Sequence, residues 1–304
     1  MLDMSSRLRP NHDYGSFGSP NKRAEQTRDQ DLQRAKGYGR IVLGSAKNGA
    51  RIVDLVQRTP TRFMFPRVGK GAVEEIVFVN TAGGIAGGDC LQSTVIALSD
   101  VAIAVTSQAA EKIYRALTEP ARIATTLKAS KGAKLAWLPQ ETIVFNWGRL
   151  RRETEVDLSS GAELLALEWL VLGRSARGET VAGGNISESW RVKKDGRLIW
   201  ADSFRVTDET IPHLRRKALL ADYKAVGTLI YFGPEPHARL ELLRDIARSL
   251  INCNCAVTAV GALIVVRFAA IQSYDLKLAL RIFLEKFGQL LGPGPFRVPK
   301  MWVC

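Results

Sequence analysis

The sequence predicts a mainly β protein of stacked antiparallel β-hairpins, arranged like a solenoid. A smaller α+β part, with two C-terminal helices packed on a small sheet, completes the prediction. Three observations carry it. Short alternating apolar runs bounded by turn residues follow one another from Tyr38 onward. A strand-turn-strand pattern recurs at roughly 30-residue intervals, within the range of stacked repeats. Helical periodicity appears only near the C-terminus.

With 304 residues, 46% of them hydrophobic, the chain can bury a sizeable core. Residues 1–37 are rich in Arg, Asn, Asp, Gln and Ser without a period, so they are expected to form a basic, disordered arm in which His12 is solvated. Residues 38–304 are expected to form one domain, β-rich over 38–212 and α+β over 213–304. No apolar run approaches the ~20 residues of a membrane span, and the first residues lack a secretory core, so no membrane association and a cytoplasmic location are expected. Cys90, Cys253, Cys255 and Cys304 are too few and too scattered for a disulfide scaffold, and they lack zinc spacing. A formal charge of +13 attracts polyanions without choosing among them.

The first apolar segments, Arg40-Ile41-Val42-Leu43 and Arg51-Ile52-Val53-Asp54-Leu55-Val56, flank Asn48-Gly49, a tight-hairpin signal. Pro60 and Pro66 then break the pattern, which places residues 59–66 at an edge or in a crossover. The apolar run 73–79 and the alternating run 91–96 are joined by Asn80-Thr81-Ala82-Gly83-Gly84-Ile85-Ala86-Gly87-Gly88-Asp89. Two glycine pairs so close together ask for a specially shaped loop, Gly83-Gly84 and Gly87-Gly88 being its hinges.

The repeat shows in three turns: Leu98-Ser99-Asp100-Val101-Ala102, Ala129-Ser130-Lys131-Gly132-Ala133 and Leu158-Ser159-Ser160-Gly161-Ala162. In each copy the second strand runs into polar residues at nearly the same offset: Ser107-Gln108, then Pro139-Gln140-Glu141, then Glu168. Stacked strands lie about 5 Å apart, so these side chains would form a row. The competing reading is that meanders resemble one another and the polar residues merely end their strands.

Residues 175–184 read as an exposed loop. Asp195-Gly196 between alternating runs predicts a hairpin. Residues 237–251 and 274–291 carry leucines and aromatics at helical spacing, and residues 256–267 between them read as a further hairpin.

The glycine loop lacks the Gly-Lys-Ser/Thr ending of a P-loop and joins two strands, which argues against nucleotide binding. His213 and His237 accompany no serine nucleophile motif and read as surface or half-buried structural residues, so no catalytic residue is assigned. Asp89, Glu111, Glu141 and Glu168 are the candidate functional side chains, three of them in apolar or small-residue surroundings where a lone carboxylate is costly. Each has a structural alternative: a turn cap for Asp89, a helical pair with Arg115 for Glu111, a partner within the sheet for Glu168. A row of carboxylates holds a divalent ion weakly and suits passing it along. Cys90 would add a soft ligand or serve as a small buried hydrophobe. The basic stretches Arg149-Leu150-Arg151-Arg152 and Leu214-Arg215-Arg216-Lys217 lack interleaved aromatics and read as a protein-facing or solvated surface.

Residues 80–89, Thr106-Ser107-Gln108-Ala109-Ala110-Glu111-Lys112-Ile113-Tyr114-Arg115, Trp137-Leu138-Pro139-Gln140-Glu141-Thr142-Ile143-Val144-Phe145, Leu172-Gly173-Arg174 with Gly178-Glu179, and Val298-Pro299-Lys300-Met301-Trp302 together resemble the urease accessory protein UreD (UreH) family. The resemblance runs from about Gly37 to the end and leaves the arm outside. It implies a non-enzymatic, mostly β maturation factor that binds apo-urease and, with the helical UreF and the GTPase UreG, delivers nickel to the urease active site. A passage through the protein is the proposed nickel route in that family. The resemblance matches Asp89 to the aspartate closing the glycine motif and Glu168 to an acidic strand position before Leu-Gly-Arg. It implies transient Ni2+ and no tightly bound cofactor, with Asp89, Cys90, Glu111, Glu141 and Glu168 as candidates for the path. Thr81-Ala82, Lys300 and Cys304 depart from the family pattern. Two other readings stand beside this one: an adaptor that remodels urease without conducting nickel, and a basic nucleic-acid-binding module for which the sequence offers no reading motif.

Overall fold

The computed structural model describes residues 34–47, 49–66, 75–174 and 177–302. The arm lies outside them up to residue 33, as do His12, Asn48 and Cys304. Lys36 and Gly37, expected to be the end of the arm, already belong to the first strand.

An antiparallel pair opens the fold: β1 (Lys36–Ala46) and β2 (Gly49–Arg58), turning between Ala46 and Gly49. β3 (Thr61–Met64) and β4 (Glu75–Asn80) form a second pair. Three coils follow. The first is β5 (Cys90–Ala97), β6 (Ala102–Ser107) and the short β7 (Glu111–Ile113). The second is β8 (Ala121–Ala129), β9 (Lys134–Leu138) and β10 (Thr142–Val144). The third is β11 (Arg149–Leu158) and β12 (Glu163–Leu172). The hairpin β13 (Asn185–Lys194) and β14 (Arg197–Val206) turns on Asp195 and Gly196, both at positive φ as a tight primed turn requires. The chain closes with β15 (Ala225–Phe232), α1 (Leu240–Arg248), β16 (Asn254–Val260), β17 (Leu263–Ala270) and α2 (Ser273–Leu291).

These strands make two sheets. The first runs β14-β13-β11-β8-β5-β1-β2 and the second β16-β17-β15-β12-β9-β6-β4-β3, with β7 and β10 in a short ladder beside β12. The mainly β, solenoid-like fold with two late helices is therefore borne out. Residues 59–66 do cross over, from β2 in the first sheet to β3 at the edge of the second.

Pairing within the coils differs from the antiparallel hairpins expected. β5 and β6 sit in different sheets, and each pairs in parallel with its equivalent one coil away: Cys90 with Arg122, Arg122 with Arg151, Arg151 with Ser187, and Ala102 with Lys134, Lys134 with Glu163. The turns bond along the stack. Ser130 N donates to Ala97 O at 2.9 Å and Gly132 N to Gly161 O at 3.0 Å. The reason lies in the apolar faces. Val95 and Ala97 of β5 and Ile103 and Val105 of β6 join one cluster between the sheets, which an arch achieves by turning the two strands face to face. Alternation alone reads the same for an arch and a hairpin.

The expected small sheet is likewise not separate. β15 pairs with β12 (Leu167 opposite Leu229), so the last three strands extend the second sheet. β12 is buried on both faces, as its near-continuous apolar sequence requires. Leu164 and Ala166 face the first sheet, whereas Leu165, Leu167, Trp169 and Val171 face the helices. Against that second side, α1 places Leu243, Ile246 and Ala247, and α2 places Leu276, Ala279, Leu280, Phe283, Leu284 and Phe287, the spacing of one helical stripe. Gly292, at φ 78°, ends α2. Among the described residues no helix is long and apolar enough to cross a membrane.

Candidate functional site

The space between the sheets holds two apolar clusters, one around Val95, Val156 and Ala166, the other around Leu91, Leu150 and Leu170. A polar layer divides them. Arg152 of β11, Glu188 of β13 and Glu168 of β12 meet there, the arginine 4% and Glu168 6% exposed. Arg152 Nη1 lies 2.8 Å from Glu168 Oε2 and donates to Thr142 Oγ1 at 2.8 Å, while Nε and Nη2 engage Glu188. Trp137 Nε1 donates to Glu168 Oε1 at 2.9 Å. Two carboxylates thus face one guanidinium in a site shielded from water. Burial works against the Arg152 charge, but Glu168 and Glu188 outweigh it and its pKa is raised. Burial is also the main cause that pushes the Glu188 carboxyl up, reinforced by Glu168 and Asp202 and opposed by Arg152. At the rim of the layer Asp202 pairs with Arg267 of the opposite sheet at 2.7 Å.

The layer continues as buried hydroxyls. Ser93, Thr125 and Thr154 stand in one register across β5, β8 and β11. On the second sheet Ser107 and Glu168 each lie two residues beyond the partners of Trp137, namely Val105 and Ala166. Ser107 Oγ accepts from Gln140 N at 2.8 Å. Ser107 and Glu168 thus share a level, but Pro139 stands between them and Glu168 lies in mid-strand, so the expected row of polar strand ends is interrupted.

The candidate carboxylates do not converge on one point. Asp89 ties the glycine loop to the start of β1, its Oδ1 accepting from Ala35 N and its Oδ2 from Ala86 N, both at 2.8 Å. Glu111 is in a strand, so the helical pair with Arg115 does not form; it accepts from Asn80 Nδ2 at 3.0 Å. Burial pushes its carboxyl up, against the lowering effect of the Asn80 bond and Lys112. Glu141 is one ladder step away, its carbonyl accepting from Glu111 N at 2.8 Å, and its carboxylate lies 4.0 Å from Lys277 Nζ. Cys90 opens β5, half-buried and unoxidised. Among the described residues no three His, Cys, Asp or Glu side chains form a group that would hold a metal ion. His213 and His237 are exposed.

The loop itself is held by close approach. A Cβ at Gly84 would stand 2.5 Å from the Tyr114 ring, and one at Gly87 2.4 Å from the Glu119 carbonyl oxygen; Gly88 has φ +86°. With residues 108–112 the loop encloses a cavity of about 240 Å3 that Asn80, Gly83 and Glu111 line.

Sequence reasoning missed three residues here. Arg152 was placed with a surface stretch, yet it occupies an inward position of β11 with Leu150, Thr154, Val156 and Leu158, and strand alternation was the signal that could have found it. Glu188 shares that logic through its register with Arg152. Trp302 carries no such signal; its Nε1 donates to Thr106 Oγ1 and Leu138 O, both at 3.1 Å, sealing the strand ends from the helix side.

A family model described as UreD urease accessory protein matches residues 35–303. Among curated relatives, the urease accessory protein UreD of Rhizobium etli is 36% identical over 270 residues, covering 89% of this chain and 96% of that protein. That of Methylobacterium sp. 4-46 is 36% identical over 277 residues with the same coverage. Urease accessory protein UreD 1 of Methylobacterium radiotolerans is 41% identical over 242 residues, covering 75% of this chain and 83% of that protein. The chain belongs to the UreD family of urease accessory proteins.

Proposed function

We propose that the protein acts in urease maturation as a non-enzymatic scaffold that binds apo-urease together with UreF and, through it, UreG, in the cytoplasm, and that nickel passes along the polar layer between its sheets. Family membership supports the maturation role. The observation that carries the nickel reading is the charge of the layer. Among the described residues Glu168 and Glu188 share Arg152, so with both carboxyls ionised the layer carries an excess negative charge that a passing cation would balance. Asp89, Glu111, Glu141 and Cys90 lie at the loop and strand ends and would serve as stations toward the surface; Asp89 and Glu111 are already held by local bonds and so are weak ligands for their cargo, whereas Glu141 Oε2 is buried without a hydrogen-bond partner.

The test is co-expression with the urease subunits, UreF and UreG, using Asp89→Asn with Glu168→Gln, isosteric changes that each keep one of the two acceptor oxygens. Pull-down of the assembled complex with reduced nickel in the recovered urease is the expected result. Normal urease nickel with an intact complex would end the conduit reading and leave the adaptor role. Loss of the complex itself would place these residues in assembly instead.

A further inference from the structure

The outer face of the first sheet carries a trough unrelated to the buried layer. Its volume is about 420 Å3. Asn185, Ser187 and Ser189 on β13 form the floor, because two serines and an asparagine leave a depression between the longer side chains of the flanking strands. Arg149 and Arg151 on β11 and Arg205 on β14 supply the rim, and Arg191 closes one end. The lining holds four arginines against one carboxylate, Glu153, which pairs with Arg151 at 2.6 Å. Asp208, outside the lining, pairs with Arg149 at 2.9 Å; Glu155 and Glu209 also lie outside it.

The arginines are drawn together by register. Arg122, Arg151, Ser187 and Arg205 occupy one row across four strands, and like charges on neighbouring strand positions repel. Arg149 Nε is buried without a hydrogen-bond partner, a donor at the trough left unsatisfied. Among the described residues Arg191 has no ion-pair partner within 4.0 Å.

We propose that this trough binds an acidic, extended segment of a protein partner, laid along β13. The floor residues repeat every second position, about 6.7 Å apart, which is the spacing of same-side residues in an extended peptide. Alternate acidic side chains would meet the rim arginines bidentately while the peptide backbone meets the serine hydroxyls and the Asn185 amide. The rims on β11 and β14 are about 10 Å apart, wide enough for one extended chain. No aromatic side chain lines the trough, so it offers no surface on which nucleic-acid bases stack.

Fluorescence anisotropy on the purified full chain tests this with a labelled decapeptide of alternating Ser and Glu, a block peptide of the same composition, and a ten-nucleotide oligothymidylate. The alternating peptide is expected to bind about tenfold more tightly than the block peptide. Arg151→Ser with Arg205→Ser should weaken it by about tenfold or more, steeply with salt. Ser187→Phe, which fills the floor and keeps every charge, should weaken it comparably. Equal affinity for both peptides, or binding unaffected by Ser187→Phe, would reduce the trough to a nonspecific basic surface. Tighter oligonucleotide binding that depends on the same arginines would replace the peptide with nucleic acid. Thermal melts of each variant distinguish lost binding from lost fold, and the double arginine variant, altered only on the surface, stands if Ser187→Phe does not fold.

Discussion

Arg152 of one sheet and Glu168 of the other meet at 2.8 Å, each less than a tenth exposed, so a buried ion pair spans the sandwich at the level where its apolar packing is interrupted. Arg152→Met removes the cation that, among the described residues, lies between Glu168 and Glu188, and leaves both buried carboxylates without it. The expected loss is about 3–5 kcal/mol, measured by urea unfolding. Arg205→Ala, on the outer face, should change stability by no more than about 0.5 kcal/mol. Equal effects would mean that the pair contributes nothing across the sheets.

Glu111 makes stability depend on pH in the direction opposite to a salt-bridged carboxylate. Its folded pKa lies above the ordinary 4.5, chiefly through burial, so the native state holds the proton more tightly than the unfolded chain. Stability contributed by this group is complete below 4.5 and declines as pH rises through the raised value. Glu111→Gln, which keeps an acceptor for Asn80, should therefore gain on the wild type as pH climbs above 4.5. Denaturant titrations at several pH values check it. A constant difference between the two proteins would place the carboxyl in water.

Glu179 runs the other way. Hydrogen bonds from Arg174, both side chain and backbone, hold its pKa down at about 2. The stability it contributes is present above the ordinary 4.5 and is lost as pH falls through about 2. Arg174→Met should return the Glu179 carboxyl toward its ordinary range, which NMR titration of the side chain would read; an unmoved titration would exclude Arg174 as the cause.

Trp302 separates two contributions. Trp302→Ala empties a buried site beside Trp169 and should cost about 3–5 kcal/mol. Trp302→Phe keeps most of the packing and loses the Nε1 donor to Thr106 Oγ1 and Leu138 O; Thr106 Oγ1 still donates to Leu138 O at 2.7 Å, so about 1 kcal/mol is expected. Thermal unfolding of the two variants provides the comparison.

At the glycine loop Gly83 and Gly87 are not equivalent. A Cβ at Gly87 collides with the Glu119 backbone, whereas at Gly83 it meets open space and strains only the φ of +75°. Gly87→Ala should therefore destabilise by about 1–3 kcal/mol and exceed Gly83→Ala in melting experiments. The reverse order would show that backbone strain governs the loop.

What could be read from the chain follows from range. The turns at Asp195-Gly196 and Gly292, the stripes of α1 and α2, and the 30-residue recurrence are written in neighbouring residues, and all appear in the fold. The parallel arches were not legible, since the inward positions of β5 and β6, Val95 and Ala97, then Ile103 and Val105, recur every second residue in either arrangement. The shared level of Ser107 and Glu168 could be anticipated because the repeat aligns them, although Pro139 interrupts the row between them. The alternation of β11 marks Arg152 as inward-facing, but its pairing with Glu168 was not legible, because the two come from strands in opposite sheets. Glu111 and Glu141 proved adjacent through the β7–β10 ladder, a pairing of two three-residue strands too short to announce themselves.

The contacts of the last described residues bear on how the protein is made. Lys300 N reaches Glu75 Oε2 at 3.1 Å, Gln140 Nε2 reaches Met301 O at 3.2 Å, and Trp302 caps β6 and β9. The coils emerge from the ribosome long before the residues that cover their second face, so through most of synthesis Trp169 and the open side of β12 stand unshielded. A nascent chain stalled before residue 302 should attract holding chaperones, and emergence of residues 300–302 is the event that covers the ends of β6 and β9.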